Sequence, residues 1–122
     1  KIVYTKFEFE PKIKELLMEI DETEPELKFV FSERILEKLQ DKHDGVTKSE
    51  VIECFDNSDD RTLEDTREEH KTIPPTQWFI SETNRGRQLK ICFVFDEDEN
   101  TVYVKTAYKP NSEEIRIFEK YA

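Results

Sequence analysis

Apolar residues along this chain recur at every second position in some stretches and at every third or fourth in others, and each change of spacing marks an element. The densest pattern runs from Trp78 to Tyr108. Three β-rich runs are separated there by Asn84-Arg85-Gly86-Arg87 and Asp96-Glu97-Asp98-Glu99-Asn100, which predicts an antiparallel meander over residues 77–108. In the middle run Leu89, Ile91, Phe93 and Phe95 alternate onto one face, with Cys92 and Val94 on the other. A strand apolar on both faces belongs in the centre of a sheet.

The other elements follow from local signals. Lys1 to Phe9 alternates as an edge strand would, and Pro11 suits the first position of a helix carrying Ile13, Leu16, Leu17 and Ile20. Leu27 to Phe31 predicts a short second strand. Ser32 is placed to cap a helix whose apolar side holds Ile35, Leu36 and Leu39, and Gly45 suits the left-handed residue beyond it. Thr47 and Glu50 form a capping box with Val46 and Val51 at the staple positions, so a further helix runs to about Phe55. Asp56 to Thr76 reads as a long polar connection of the kind that carries function. Asn111 and Glu114 mark a terminal helix, its stripe made by Ile115, Phe118 and Ala122 with Ile117 and Tyr121 beside it. The sum is an α+β fold: the meander plus one or two N-terminal strands form an antiparallel sheet, with helices packed on it.

Composition narrows the function classes. A chain of 122 residues with nine Phe, four Tyr and one Trp supports a single domain over 1–122 with a modest core. The longest uninterrupted apolar run is five residues, Ile91 to Phe95, which predicts no membrane span. Cys54 and Cys92 stand apart without a partner motif, as expected of reduced thiols in a cytoplasmic protein. The net charge is −10, which opposes unaided, non-specific nucleic-acid binding. The imbalance is local, however. Residues 1–60 hold 9 Lys and Arg against 17 Asp and Glu, whereas residues 61–122 hold 10 against 12. Lys71, Arg85, Arg87, Lys90, Lys105 and Lys109 fall on the predicted sheet and its turns. Ordinary surface cations balancing an acidic surface are the plain account of that cluster, and a local anion site is the sharper one.

Metal and nucleophile motifs find little support. Asp96, Asp98 and Asn100 have the spacing of a calcium loop, but Thr101 stands where that loop needs glycine and Ala107 where it needs glutamate. A solvated hairpin turn is expected instead. Neither histidine, His43 or His70, lies in a zinc motif. With two glycines no phosphate-cradling loop is possible. No metal and no cofactor is therefore expected. What remains is a mixed set of Arg67, Glu68, His70, Arg85, Arg87, Lys105, Tyr108 and Lys109. Such groups suffice for metal-free RNA cleavage, in which a base takes the 2′-hydroxyl proton and cations meet the phosphorane charge.

A family resemblance runs over residues 29–121. Phe29-x-Phe31 leads into a helix, and Lys42-His43-Asp44-Gly45-Val46 precedes a second helix ending at Phe55. Arg67-Glu68 follows in the loop, then Gly86-Arg87-x-Leu89, then Val104-Lys105-Thr106-Ala107-Tyr108, with Glu114 and Tyr121 in the last helix. In that order the motifs resemble the BrnT family of bacterial type II toxins, related to the RelE/ParE fold group. The resemblance implies a RelE-like fold with residues 1–28 as an N-terminal extension. It also implies a cytoplasmic endoribonuclease acting on RNA and neutralised by an antitoxin protein. Its site would draw on the motif positions Arg67, Glu68, Arg87, Lys105 and Tyr108, with Tyr108, standing where the family has arginine, either stacking a base or donating a proton. From the residues alone His70 is the alternative base to Glu68. A non-catalytic protein-interaction module of the same fold is the alternative. Converging polar groups in one groove would favour the enzyme, and an exposed apolar patch would favour the module.

Overall fold

The computed structural model describes residues 5–8, 27–42, 45–67 and 72–122. The predicted helix carrying Ile13 to Ile20 lies outside them. In chain order the elements are β1 (Thr5–Glu8), β2 (Lys28–Val30), α1 (Glu33–Lys42), α2 (Lys48–Asp56), β3 (Arg61–Glu64), β4 (Gln77–Glu82), β5 (Gln88–Asp96), β6 (Thr101–Tyr108) and α3 (Ser112–Tyr121). The strands form one sheet in the order β1-β3-β4-β5-β6-β2. The α+β class and the antiparallel β4-β5-β6 meander, with β5 central, match the expectation.

Two features correct it. The sheet is mixed, because β2 lies parallel to β6 with Phe29 opposite Val102. A parallel pair needs a long crossover, and here everything from Phe31 to Asn100 lies between the two strands. Second, the supposed irregular stretch after Phe55 contains β3, which pairs with β1 on one side and β4 on the other. Only Leu63 in Arg-Thr-Leu-Glu is apolar, so tertiary pairing rather than pattern makes this strand. Thr62 is fully buried within it and donates its hydroxyl to Gln77 Oε1 at 3.0 Å.

Capping sets the helix starts. Ser32 Oγ accepts the Ile35 N–H at 3.2 Å, opening α1. At α2 the Glu50 N–H donates to Thr47 Oγ1 and the Thr47 N–H returns to Glu50 Oε1, closing the reciprocal box. Asn111 and Glu114 repeat it at α3. Gly45 takes φ +69°, in the left-handed region.

One face of the sheet carries α1 and α2. Phe55 of α2 sits edge-on to Phe79, Phe93 and Phe29, with ring centroids 4.8, 5.1 and 5.1 Å away. Leu89, Ile91, Phe93 and Phe95 are all buried, as is Leu39 of α1. The opposite face carries α3 over β3 and β4, where Phe118 meets Trp78 at 5.9 Å. Ile117 and Phe118 are the residues α3 buries; Ile115 and Ala122, expected in its stripe, are only half-buried. Asn100, expected on the surface of a solvated turn, is buried in the left-handed conformation at φ +50°.

The meander contains one irregularity. Cys92 pairs with Thr106 but Phe93 pairs with Val104, so Lys105 is an extra residue in β6. A bulge of this kind re-aims side chains. Val104 goes to the helix-covered face and Thr106 to the other.

Candidate functional site

Beside α3, on the second face of the sheet, a cavity of about 400 Å³ opens among the described residues. Arg67, Lys105 and Tyr108 line it, so three of the sequence-predicted residues meet. The bulge helps, because it lets the consecutive residues Lys105 and Thr106 both reach this cavity. Lys38 of α1 and Lys90 of β5 join them, and Thr72, Thr76 and Cys92 complete much of the wall.

Arg87 does not belong to this group. It is in register with the helix side of the hairpin, where its Nη1 lies 3.2 Å from both carboxylate oxygens of Glu50 on α2. Glu50 thereby caps its helix and ties the β4-β5 hairpin to it. Arg85 is exposed in that hairpin's turn. Glu68 and His70 lie outside the described residues.

The cavity's charges are organised in two ways. Arg67 forms a two-pronged bridge with Asp65, Nε to Oδ1 at 3.0 Å and Nη2 to Oδ2 at 2.9 Å. Lys90 is buried, with its Nζ 2.6 Å from Glu114 Oε2 and 4.4 Å from the Trp78 ring centroid. By contrast, among the described residues neither Lys38 nor Lys105 is ion-paired. Two cations are thus fixed by carboxylates and two remain uncommitted.

Glu114 connects this wall to α3. Its Oε1 accepts the Asn111 N–H, and its Oε2 accepts from both Lys90 and the Tyr108 hydroxyl, the latter at 2.7 Å. Burial acts to raise its pKa, but these donors outweigh burial and hold it below the ordinary carboxylate value. Burial, then the hydrogen bond to Glu114, pushes Tyr108 up to about 12. Tyr108 therefore keeps its proton and donates it in a hydrogen bond to Glu114 in this structure. Burial acts to lower the pKa of Lys90, yet Cys92, Glu114 and Tyr108 together hold it above the ordinary lysine value.

The thiols are quiet. Burial pushes Cys92 up to about 11 and Cys54 up to about 12, so neither is an effective nucleophile near neutral pH. In the acidic turn, Asp96 Oδ1 accepts the N–H groups of Asp98 and Glu99. Among the described residues no group of three or more His, Cys, Asp or Glu stands together as a metal site. Likewise no described helix is long and apolar enough to cross a membrane.

A larger cavity of about 670 Å³ adjoins the β4-β5 hairpin. Its charged lining residues are Asp59 and Glu82, which repel an anion, and none of the predicted site residues reaches it. Asn57 uses its amide there to bind the hairpin, donating to the Glu82 carbonyl and to Asn84 Oδ1.

Sequence reasoning placed Lys90 in the basic cluster of the sheet but not in the site, and missed Lys38 and Glu114 as parts of it. For Lys90 a signal was present: a lysine inside the most apolar strand of a sheet needs a partner and a reason to be there. For comparison with other proteins, the chain matches no protein-family model, no curated protein and no solved structure.

Proposed function

We propose that the cavity beside α3 binds the phosphate backbone of single-stranded RNA, and that the protein is a BrnT-like endoribonuclease toxin of RelE-like fold. It works in the cytoplasm with an antitoxin as its partner. One observation carries this reading. Lys38, Arg67, Lys90 and Lys105 come from four separate segments and meet at one cavity, in a chain whose net charge is −10. An acidic surface does not gather cations in this way by default. The apolar patch expected of an interaction module has no counterpart among the described residues, where Val30, Ile73 and Tyr121 are the exposed large apolar side chains and lie on three different segments.

In the proposed reaction Lys105 and Arg67 seat the scissile phosphate. The 2′-oxygen bonds to phosphorus, the bond to the 5′-oxygen breaks, and the 2′-hydroxyl proton passes to a base while the 5′-oxygen takes one up. Lys105 meets the charge that develops on the phosphorane oxygens. Glu68, next to Arg67 in sequence, is the expected base, with His70 the other candidate. Tyr108 is a wall of the site, its proton engaged by Glu114.

The test is cleavage of a single-stranded RNA by purified protein, with and without chelator and across a salt series. Chelator-insensitive cleavage that weakens with salt is expected. No cleavage, together with harmless expression in a bacterial host, would sink the proposal.

A further inference from the structure

We propose that Lys90 is the fixed anion-binding group of this cavity, a rigid ammonium that donates to a phosphate oxygen. The inference rests on the reading of the cavity as a phosphate site and adds the residue that anchors the ligand. Lys90 sits in the middle of the sheet between Ile80 and Tyr108, buried, and faces the cavity.

As a stabilising device this burial is poor. Exchanging a buried ion pair for apolar side chains is often neutral or stabilising, so the pair calls for another explanation. Counting donors supplies it. An ammonium carries three N–H groups. Glu114 Oε2 takes one at 2.6 Å. The other two are left for the cavity and for the Trp78 face, 4.4 Å from the nitrogen. The cost of removing this charge from water is met when the protein folds, so a ligand encounters a donor that needs no reorganisation. Lys38 and Lys105 differ: both are exposed and without an ion partner among the described residues, which suits capture of an anion more than its orientation.

Inorganic phosphate is the probe, titrated into the full chain and followed by NMR of the lysine ammonium groups. A held ammonium gives an observable signal, and phosphate should shift that of Lys90. The decisive variant is Lys90→Met combined with Glu114→Gln, which removes both charges and strands neither. It should unfold no more easily than the parent while binding phosphate at least about 10-fold more weakly. If the double variant unfolds early, Lys90→Gln combined with Glu114→Gln replaces it, a pair that keeps a neutral hydrogen bond between the two side chains, and the same weakening is expected because the ammonium charge is gone. Undiminished phosphate binding by the folded variant, an unmoved Lys90 signal at saturation, or no phosphate binding by the parent would each overturn the inference. RNA cleavage measured in parallel separates the two claims. Cleavage that survives the double variant removes Lys90 alone, whereas Lys90-dependent phosphate binding without cleavage removes the ribonuclease reading alone.

Discussion

The two faces of the sheet are built on different principles. Under α1 and α2 the core contacts are mainly aromatic and aliphatic, with Phe55, Phe79 and Phe93 meeting edge to face and the Thr62–Gln77 hydrogen bond and the Arg87–Glu50 bridge beside them. Under and beside α3 the same strands present Trp78, Lys90, Cys92, Thr106 and Tyr108, and part of that surface opens into the cationic cavity. One side earns its stability from dry packing. The other keeps charged groups in place with carboxylates, Asp65 of the same loop for Arg67 and Glu114 of α3 for Lys90. Alternation along β5 lets a single strand serve both.

The contrast can be broken from either side. The largest expected loss is of stability on the dry face: Phe93→Ala should cost about 3–5 kcal/mol in chemical denaturation, because the space between Phe55 and Phe79 cannot close. On the open face Lys105→Ala should leave stability nearly unchanged and lower RNA cleavage by roughly a hundredfold, a loss of about 3 kcal/mol of transition-state stabilisation.

Glu114→Ala comes next. It removes a helix cap and leaves Lys90 without its carboxylate, so a loss of about 2 kcal/mol is expected by thermal or chemical unfolding. The same carboxylate predicts a pH dependence. Its folded pKa lies below the unfolded value, so the stability it adds is present above the ordinary carboxylate pKa and is lost as pH falls through the folded one. An acid titration of unfolding should show this loss in the parent and not in Glu114→Gln.

The smallest effect sharpens the comparison. Arg87→Ala breaks a partly exposed bridge to Glu50 on the helix side, so about 0.5–1 kcal/mol of stability should go while RNA cleavage stays as it was. Loss of cleavage would place Arg87 in the site after all.

Which parts of this were legible depends on the range of the signal. Capping boxes are written within four residues, so Thr47 with Glu50 and Asn111 with Glu114 could be read directly. The meander was legible because β5 alternates over its whole length. β3 was not, since Leu63 alone gives no period and the strand exists through its neighbours. Nor was the direction of β2, because three residues pair as readily either way. Lys105 and Tyr108 could be named from the sequence. Lys90 stood out as a lysine inside the most apolar strand, but its partner Lys38 could not be named, as the cavity joins residues as far apart in the chain as 38 and 108. The placement of Arg87 turned on Glu50, thirty-seven positions earlier, capturing its side chain.

The strand order has a consequence for synthesis. β1 and β2 occupy opposite edges of the sheet, yet both precede every strand that separates them. As the chain leaves the ribosome these two strands have no partner until β3 and β6 follow, and β6 comes last. The borders of the sheet are therefore made before its middle. A chain arrested before Thr101 would hold β2 unpaired and the cavity without Lys105 and Tyr108, so edge protection and the cationic site are completed by the same final strand.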